Sequence, residues 1–532
     1  MEIMKIFVSI EDSLVDGMHG ELFYWLLLLA MTVASFLLII RRGLFASSFG
    51  TPRPPCPPAL PVIGHLHLLG DLPHQSFWKL SQRYGPLISL RLGNVSAVVA
   101  STSQMAKEIL HTHDQIFAYR PRTAGGVYTC FDCCDVAFSP LGPSWRFMRQ
   151  MYATELFSPK RMEFFRSLRE EEAHELVKSV LSDGEAGNRT VEVRHLLLEA
   201  SNNINCRMVM GKKMKEVAVA ADTDLQTVID DVVSLTGVFY LGDYIPWLAW
   251  LDPNGSMKRM KKTGERTKAL LQAEIDERRR KPVLNGGHRD LLDALLAAAE
   301  SATLRDSNLN IPLADHHIMA AIMDVLVGGS ETSPTIVEYA LADLINHPEA
   351  MMKAQEELDK VVGKERLVKE RDVANLKYLD CVIKESMRLH PILPFLIPRE
   401  AEQECIIDGY RIAPKTRIYV NTLAIHRDPS VWEKPLEFVP ERFQSKAMQL
   451  KGHYFEFLPF GLGRRRCPGW ALGIANVRLM LARLIHGFSW EYTGSPRRGQ
   501  AVDMTERFGL TVNLAHRLRT LAKPRLPLHV YS

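Results

Sequence analysis

Nothing in the interior of this 532-residue chain divides it. It has no Pro-, Gly- or Ser-rich interior linker, no internal repeat and no low-complexity tract. The length could hold several domains, yet one large domain behind an N-terminal extension is the simpler reading. A strong charge of one sign is also missing: 65 basic against 61 acidic residues leave +4, too little to argue for a nucleic-acid partner. Cysteine is scarce, and eight in a chain of this length make no disulfide framework. Three of them, Cys130, Cys133 and Cys134, form a C-x-x-C-C cluster. Zinc would need a second ligand pair at matching spacing and none stands nearby in sequence, so the three read as reduced thiols in a loop. Absent too is a Gly-x-Gly-x-x-Gly dinucleotide fingerprint or an appended flavin domain, so any nicotinamide-derived electrons must come from outside the chain.

What is there begins with an apolar run. Leu22 to Ile40 carries no charge, and nineteen residues as helix reach about 28 Å, enough to cross a bilayer core. Residues 1–40 hold five acids and one base, while the remaining 56 acids and 64 bases make the body mildly basic. Acids before the run and Arg41-Arg42 directly after it place the C-terminal body in the cytosol. The stretch from Thr51 to Gly64 is rich in proline, which forbids helix and ladder alike and makes a stiff extended spacer. The boundaries expected are 1–21 for a lumenal N-terminus, 22–40 for a transmembrane anchor, 41–64 for a basic and proline-rich hinge, and 65–532 for the body.

Within the body, Pro86–Gly93 and Val95–Ala100 are short, β-branched and turn-bounded, and predict a hairpin. From Ser144 to about residue 390 the apolar period is helical, and short strand-and-turn pieces return at 406–420 and near 508–514. The fold class is therefore mainly α with a small β-rich part.

One cysteine stands apart from the others. Cys467 lies in Phe460-Gly-Leu-Gly-Arg-Arg-Arg-Cys-Pro-Gly469, ahead of an apolar helical segment. Neighbouring cations and a helix N-terminus favour the thiolate, the form that binds metal. Far upstream, Leu326-Val-Gly-Gly-Ser-Glu-Thr-Ser-Pro334 lies deep inside a helix predicted from about Asp315 to Asn346. Gly328 and Gly329 each cost about 1 kcal/mol against alanine, and Pro334 removes the bond to the Ser330 carbonyl. Such a helix is opened on purpose or kinked for packing. The gap would lie beside Glu331 and Thr332, an acid and a hydroxyl able to relay protons.

Three further patterns stand out. Glu385 and Arg388 share one helix face, a spacing whose default reading is a solvated pair. Trp145 and Arg149 fall on one helical turn, an indole N–H and a guanidinium suited to a carboxylate. Phe239–Trp250 is dense in aromatics and is followed by Lys258, Arg259, Lys261 and Lys262, which fits either a membrane interface or an inter-helix core.

Phe460, Gly463, Arg465, Cys467 and Gly469 fall at the spacing Phe-x-x-Gly-x-Arg-x-Cys-x-Gly, which resembles the heme-binding loop of the cytochromes P450. The other patterns follow in that family's order, and the chain looks most like its plant microsomal members. The resemblance implies the cytochrome P450 fold and heme b, with Cys467 as axial ligand of the iron on a loop that includes Phe460 and Gly463. It implies that Trp145 and Arg149 bind one heme propionate, that Arg465 meets the other, and that Arg399 is a weaker candidate for the same duty. Thr332 and Glu331 would be catalytic, delivering protons during oxygen activation. Glu385, Arg388 and Arg442 would form a buried structural triad. The activity implied is a monooxygenase inserting one oxygen atom into a small apolar substrate, a plant phenolic or flavonoid or a fatty acid. Electrons would come from NADPH through NADPH–cytochrome P450 reductase, at the endoplasmic reticulum membrane. A heme-thiolate isomerase or dehydratase and a membrane-tethered heme sensor are the alternatives. Specificity is expected in the loops near 118–139, 392–398 and 508–511.

Overall fold

The computed structural model describes residues 51–532 except 218–223, 253, 282–289, 305–312, 447, 451, 453 and 494–500, and before residue 51 only Trp25, Leu28, Leu29, Met31 and Thr32. The expected anchor therefore lies, apart from those five residues, outside the described part. Among the described residues no helix is long and apolar enough to cross a membrane. Arg53–Ser532 forms one compact unit. The proline-rich spacer belongs to it from Arg53 on: the Ser89 amide and hydroxyl donate to the carbonyls of Pro55 and Pro54, both at 2.8 Å.

Ten helices suffice to place the site: α1 (Pro73–Tyr84), α2 (Ala124–Thr129), α3 (Pro143–Glu155), α4 (Arg166–Asp183), α5 (Val193–Met210), α6 (Ser256–Arg280), α7 (Asp315–Ser330), α8 (Thr332–Asn346), α9 (Lys377–Leu389) and α10 (Trp470–Gly487). The pair α7 and α8 is the axis of the molecule. Both are apolar on nearly every side, and a helix without a polar face must be covered all round. Helix α5 packs along both halves and α10 along the second.

The expected interruption falls at Glu331, which separates α7 from α8. The two glycines before it have different reasons. A Cβ on Gly329 would lie 2.4 Å from the Asn205 side chain of α5, and the Ser201 hydroxyl donates to the Gly329 carbonyl at 2.8 Å. Gly329 is thus fixed by close helix packing. A Cβ on Gly328 would meet nothing within 4 Å, so that glycine borders open space.

The strands are β1 (Leu87–Leu92), β2 (Val95–Ala100), β3 (Thr190–Glu192), β4 (Arg399–Glu400), β5 (Cys405–Ile407), β6 (Tyr410–Ile412), β7 (Arg417–Val420), β8 (Phe488–Tyr492), β9 (Glu506–Arg507), β10 (Asn513–Leu514) and β11 (Arg519–Pro524). The predicted hairpin is β1–β2, joined in parallel by β7 and closed by β4 in the order β1-β2-β7-β4. That sheet delivers Arg399 to the site.

Two loops matter beyond the core. The aromatic segment is exposed at Phe239 (49%), Trp247 (58%) and Trp250 (77%), which decides between its two readings in favour of a surface. After α2 the chain makes a left-handed turn at three successive non-glycine residues, Phe131, Asp132 and Cys133, with φ of 51°, 59° and 58°. Each such residue costs roughly 1–2 kcal/mol. Backbone bonds from Asp132 N to Val127 O (3.0 Å) and from Cys133 N to Gly126 O (2.9 Å) hold the turn.

Candidate active site

The cysteine loop is folded by its own backbone. Cys467 N donates to Phe460 O at 3.0 Å and Arg466 N to Gly463 O at 3.1 Å, closing the loop ahead of α10. Gly463 has φ 76°, and a Cβ there would stand 2.3 Å from the Leu110 carbonyl and 2.6 Å from Asp114 Oδ1. Its neighbour is thus the 108–114 segment. Asp114 also accepts from Arg464 N (2.9 Å) and from Arg399 Nη1 (3.0 Å), and Arg399 Nη2 reaches Leu462 O at 2.9 Å. Arg399, expected as a minor propionate ligand, also braces the loop. Asp114 is a functional residue that sequence reasoning missed.

Cys467 is half-buried by its accessible surface, though protein surrounds it densely enough to exclude most solvation. Burial pushes its thiol up, against the Gly469 amide and the charges of Arg149 and Arg466. The cations act in the expected direction, and burial is the larger effect. A bound metal would add its own charge in favour of the thiolate.

The remaining basic residues of the site converge on Trp145. The guanidinium carbons of Arg465 and Arg149 lie 5.0 and 5.7 Å from the Trp145 ring centroid. Arg465 Nε donates to Ala118 O (2.7 Å), Nη1 to Val136 O (3.0 Å) and Nη2 to Ser139 O. Arg149 Nη1 donates to Arg466 O at 2.9 Å. A fourth arginine, the half-buried Arg120, donates to the carbonyls of Ala137 and Pro398, at 2.8 and 2.9 Å. Burial lowers the pKa of Arg120 and brings that of Arg465 to about 10, with the neighbouring guanidiniums adding to both shifts. Arginines 120, 149 and 465 face mostly carbonyl dipoles, and the buried Trp145 Nε1 has no acceptor among the described residues. Concentrated half-buried cations and an orphaned indole N–H fit a dianionic group, and the two propionates of heme supply one.

Thr332, Ser333 and Ile336 of α8 line a cavity together with Gly473 and Val477 of α10 and Phe460 of the loop. Thr332 Oγ1 donates to the Gly328 carbonyl at 2.8 Å. Glu331 Oε2 accepts from Thr511 Oγ1 at 2.6 Å, and its Oε1 stands 3.5 Å from Arg194 Nη2. Arg194 in turn bonds Glu338 (2.9 Å) and Asn513 (3.1 Å). The acid beside the hydroxyl is therefore held by a buried polar network that ends on the 511–513 loop.

Asp324, one charge in an otherwise uncharged stretch of α7, is a second missed residue, and that isolation was the available signal. Its carboxylate accepts from Val136 N (2.7 Å) and Tyr152 OH (2.8 Å), tying the 130–139 loop to the helix, and burial pushes its pKa up to about 6.

The triad is present. Arg388 forms two bonds of 2.8 Å to Glu385, and Arg442 Nε reaches the same carboxylate at 2.9 Å. Glu385 and Arg388 are both fully buried, so the solvated-pair reading fails because a third element, at 433–442, folds over them. The adjoining His426 accepts from Leu458 N at 2.9 Å and so fixes the entry to the cysteine loop. Burial first, and then Arg388, pushes His426 down to about 3. Its contribution to stability is complete above about pH 6.5 and is lost at roughly 1.4 kcal/mol per pH unit below it, as the unfolded chain takes up a proton. By pH 5 that is about 2 kcal/mol. The melting temperature should fall less between pH 7 and pH 5 in His426→Gln than in the parent, and equal falls would contradict this.

Comparison with known proteins agrees with the geometry. The family model described as Cytochrome P450 matches residues 54–511. The chain is 38% identical over 515 residues to flavonoid 3'-monooxygenase of Petunia hybrida, covering 95% of this chain and 99% of that protein. It is 41% identical to cytochrome P450 71A1 of Persea americana, with coverage of 87% and 92%. It is 40% identical to 3,9-dihydroxypterocarpan 6A-monooxygenase of Glycine max, with coverage of 89% and 93%. A zebra fish cytochrome P450 solved with progesterone superimposes with a TM-score of 0.71 at 28% identity, covering 85% of this chain and 99% of that one. The chain belongs to the cytochrome P450 family and is a heme-dependent monooxygenase.

Proposed function

We propose that this enzyme hydroxylates a small, largely apolar plant phenolic of the flavonoid type, with Cys467 as axial ligand of the heme iron. The observation that carries the site assignment is the half-buried basic cluster around the unpartnered Trp145 Nε1, tied to the cysteine loop by the Arg149–Arg466 bond. In this reading Trp145, Arg149 and Arg465 hold the propionates, and Arg399 acts on the loop through Asp114 and Leu462. Phe460 and Gly463 shape the loop around the sulfur. When bound, heme supplies the electron-transfer and dioxygen chemistry. The chain's own work is to position and to move protons. Thr332 Oγ1, hydrogen-bonded to Gly328 O at the helix break, is the hydroxyl that passes a proton into the cavity. Glu331, restrained by Thr511 and Arg194, is the acid that replenishes it from the polar network.

The substrate class rests on the named activities of the relatives from Petunia hybrida and Glycine max, together with apolar cavity walls such as Ile336, Met387, Ile392 and Leu393. Electrons come from NADPH through NADPH–cytochrome P450 reductase, docked on the basic face near the exposed Arg464. The body sits on the endoplasmic reticulum membrane, anchored by residues 22–40. Exposed Phe239, Trp247 and Trp250, with the lysines and arginine that follow, meet the lipid interface. Titrating reconstituted enzyme with flavonoids, simple phenolics and fatty acids should shift the heme spin state with the first two at micromolar concentration. A shift with fatty acids alone would overturn the substrate class.

A further inference from the structure

The C-x-x-C-C loop lacks metal ligands nearby in sequence, but the fold brings two to it. Cys134 Sγ and one ring nitrogen each from His316 and His317, at the start of α7, all lie within 4.8 Å of one another. The two imidazole centroids are 4.0 Å apart with planes tilted by 36°, so both rings address the same space. His316 is exposed while Cys134 and His317 are half-buried, which leaves the cluster open to solvent on one side. Nδ1 of His317 is buried with no hydrogen-bond partner, the neighbouring Ala314 carbonyl being already shared by the amides of His317 and Ile318.

The geometry points to a zinc site formed by Cys134, His316 and His317, with solvent as the fourth ligand. One thiolate and two imidazoles are a borderline-soft donor set that suits Zn²⁺ in tetrahedral geometry, and three protein ligands leave one position open. The left-handed turn at Phe131–Cys133 is what delivers Cys134 to the histidines. Gly126 allows that turn, since a Cβ there would lie 2.8 Å from Cys133 Sγ. Strained backbone that is held by its surroundings is found at ligand clamps, and here it ends on a ligand. The site would regulate the enzyme. Asp324 already ties Val136 to α7, and Arg465 grips the Val136 carbonyl. Zinc would pin the same loop at Cys134, two residues before Val136, to the start of that helix and restrict a segment bordering the active site.

The test uses the untagged, full-length holoenzyme after chelator treatment. Equilibrium dialysis with ZnCl₂ should load one zinc per heme. X-ray absorption at the zinc edge, which iron does not obscure, should show one sulfur at about 2.3 Å and nitrogens at about 2.0–2.1 Å. Cys134→Ser should remove the sulfur shell, and Cys134→Ser and His316→Ala should each weaken zinc binding at least tenfold. Cys130→Ser should leave both readouts unchanged. His316 is exposed, so its variant tests the site even if the cysteine variant fails to load heme. Unaltered zinc affinity in His316→Ala, a sulfur shell surviving in Cys134→Ser, or spectra showing only nitrogen and oxygen ligands would each overturn the proposal. So would tight binding of Cu⁺ with none of Zn²⁺.

Discussion

Glu385→Ala should yield little or no folded heme protein, the largest stability loss expected from any single substitution outside the cysteine loop. Glu385 is the shared acceptor for two guanidiniums and for the Val439 amide, at 2.8–3.0 Å, and it has no access to solvent. Removing it leaves Arg388 charged in a fully buried site. Breaking a buried pair in this way costs about 3–5 kcal/mol, a large part of the 5–15 kcal/mol that holds a typical domain folded. The loss would spread to the site, because Arg388 also holds the carbonyls of His426 and Pro435, and His426 anchors Leu458. The measurement is the yield of heme-loaded protein and its denaturant midpoint. An unfolding free energy, midpoint times slope, within about 1 kcal/mol of the parent would show that the triad is not a structural centre.

Thr332→Ala should keep heme and fold but uncouple the reaction. The side chain lines the cavity and makes one hydrogen bond, to Gly328 O, so its removal disturbs little packing. A positioned proton-transfer group contributes about 10²–10⁴-fold. Product formed per NADPH consumed should drop at least about tenfold, with the missing electrons recovered as hydrogen peroxide. Glu331→Gln should slow turnover more than it raises peroxide, because it removes the proton supply and leaves the hydroxyl in place. Unchanged coupling in Thr332→Ala would remove the relay from the account.

How much of this was legible in the sequence depends on the range of the interaction. The α7–α8 axis, the β1–β2 hairpin and the cysteine loop were readable because period, turn residues and spacing are local. The direction of the Cys467 pKa shift was not, since cationic neighbours are visible in a sequence and desolvation is not. Gly329 read as a helix defect, and only Asn205, on another helix, shows that it is also a packing requirement. Glu385 and Arg388 looked like a surface pair on spacing alone, and their burial depends on a segment some fifty residues later. Asp114 and Arg120 act through contacts with distant groups, the Arg399 side chain, the Arg464 amide and the Pro398 carbonyl, that no motif records. The cysteines near residue 130 were set aside for want of partners, and those partners lie at the start of the central helix.

The central claim is that Cys467 is the axial thiolate, and the carbon monoxide difference spectrum of the reduced enzyme tests it most directly. Cys467→Ala should lose the thiolate-type band entirely, while Cys206→Ala and Cys381→Ala, which alter other buried cysteines, should retain it. Persistence of that band in Cys467→Ala would contradict the assignment of the ligand and the site built around it.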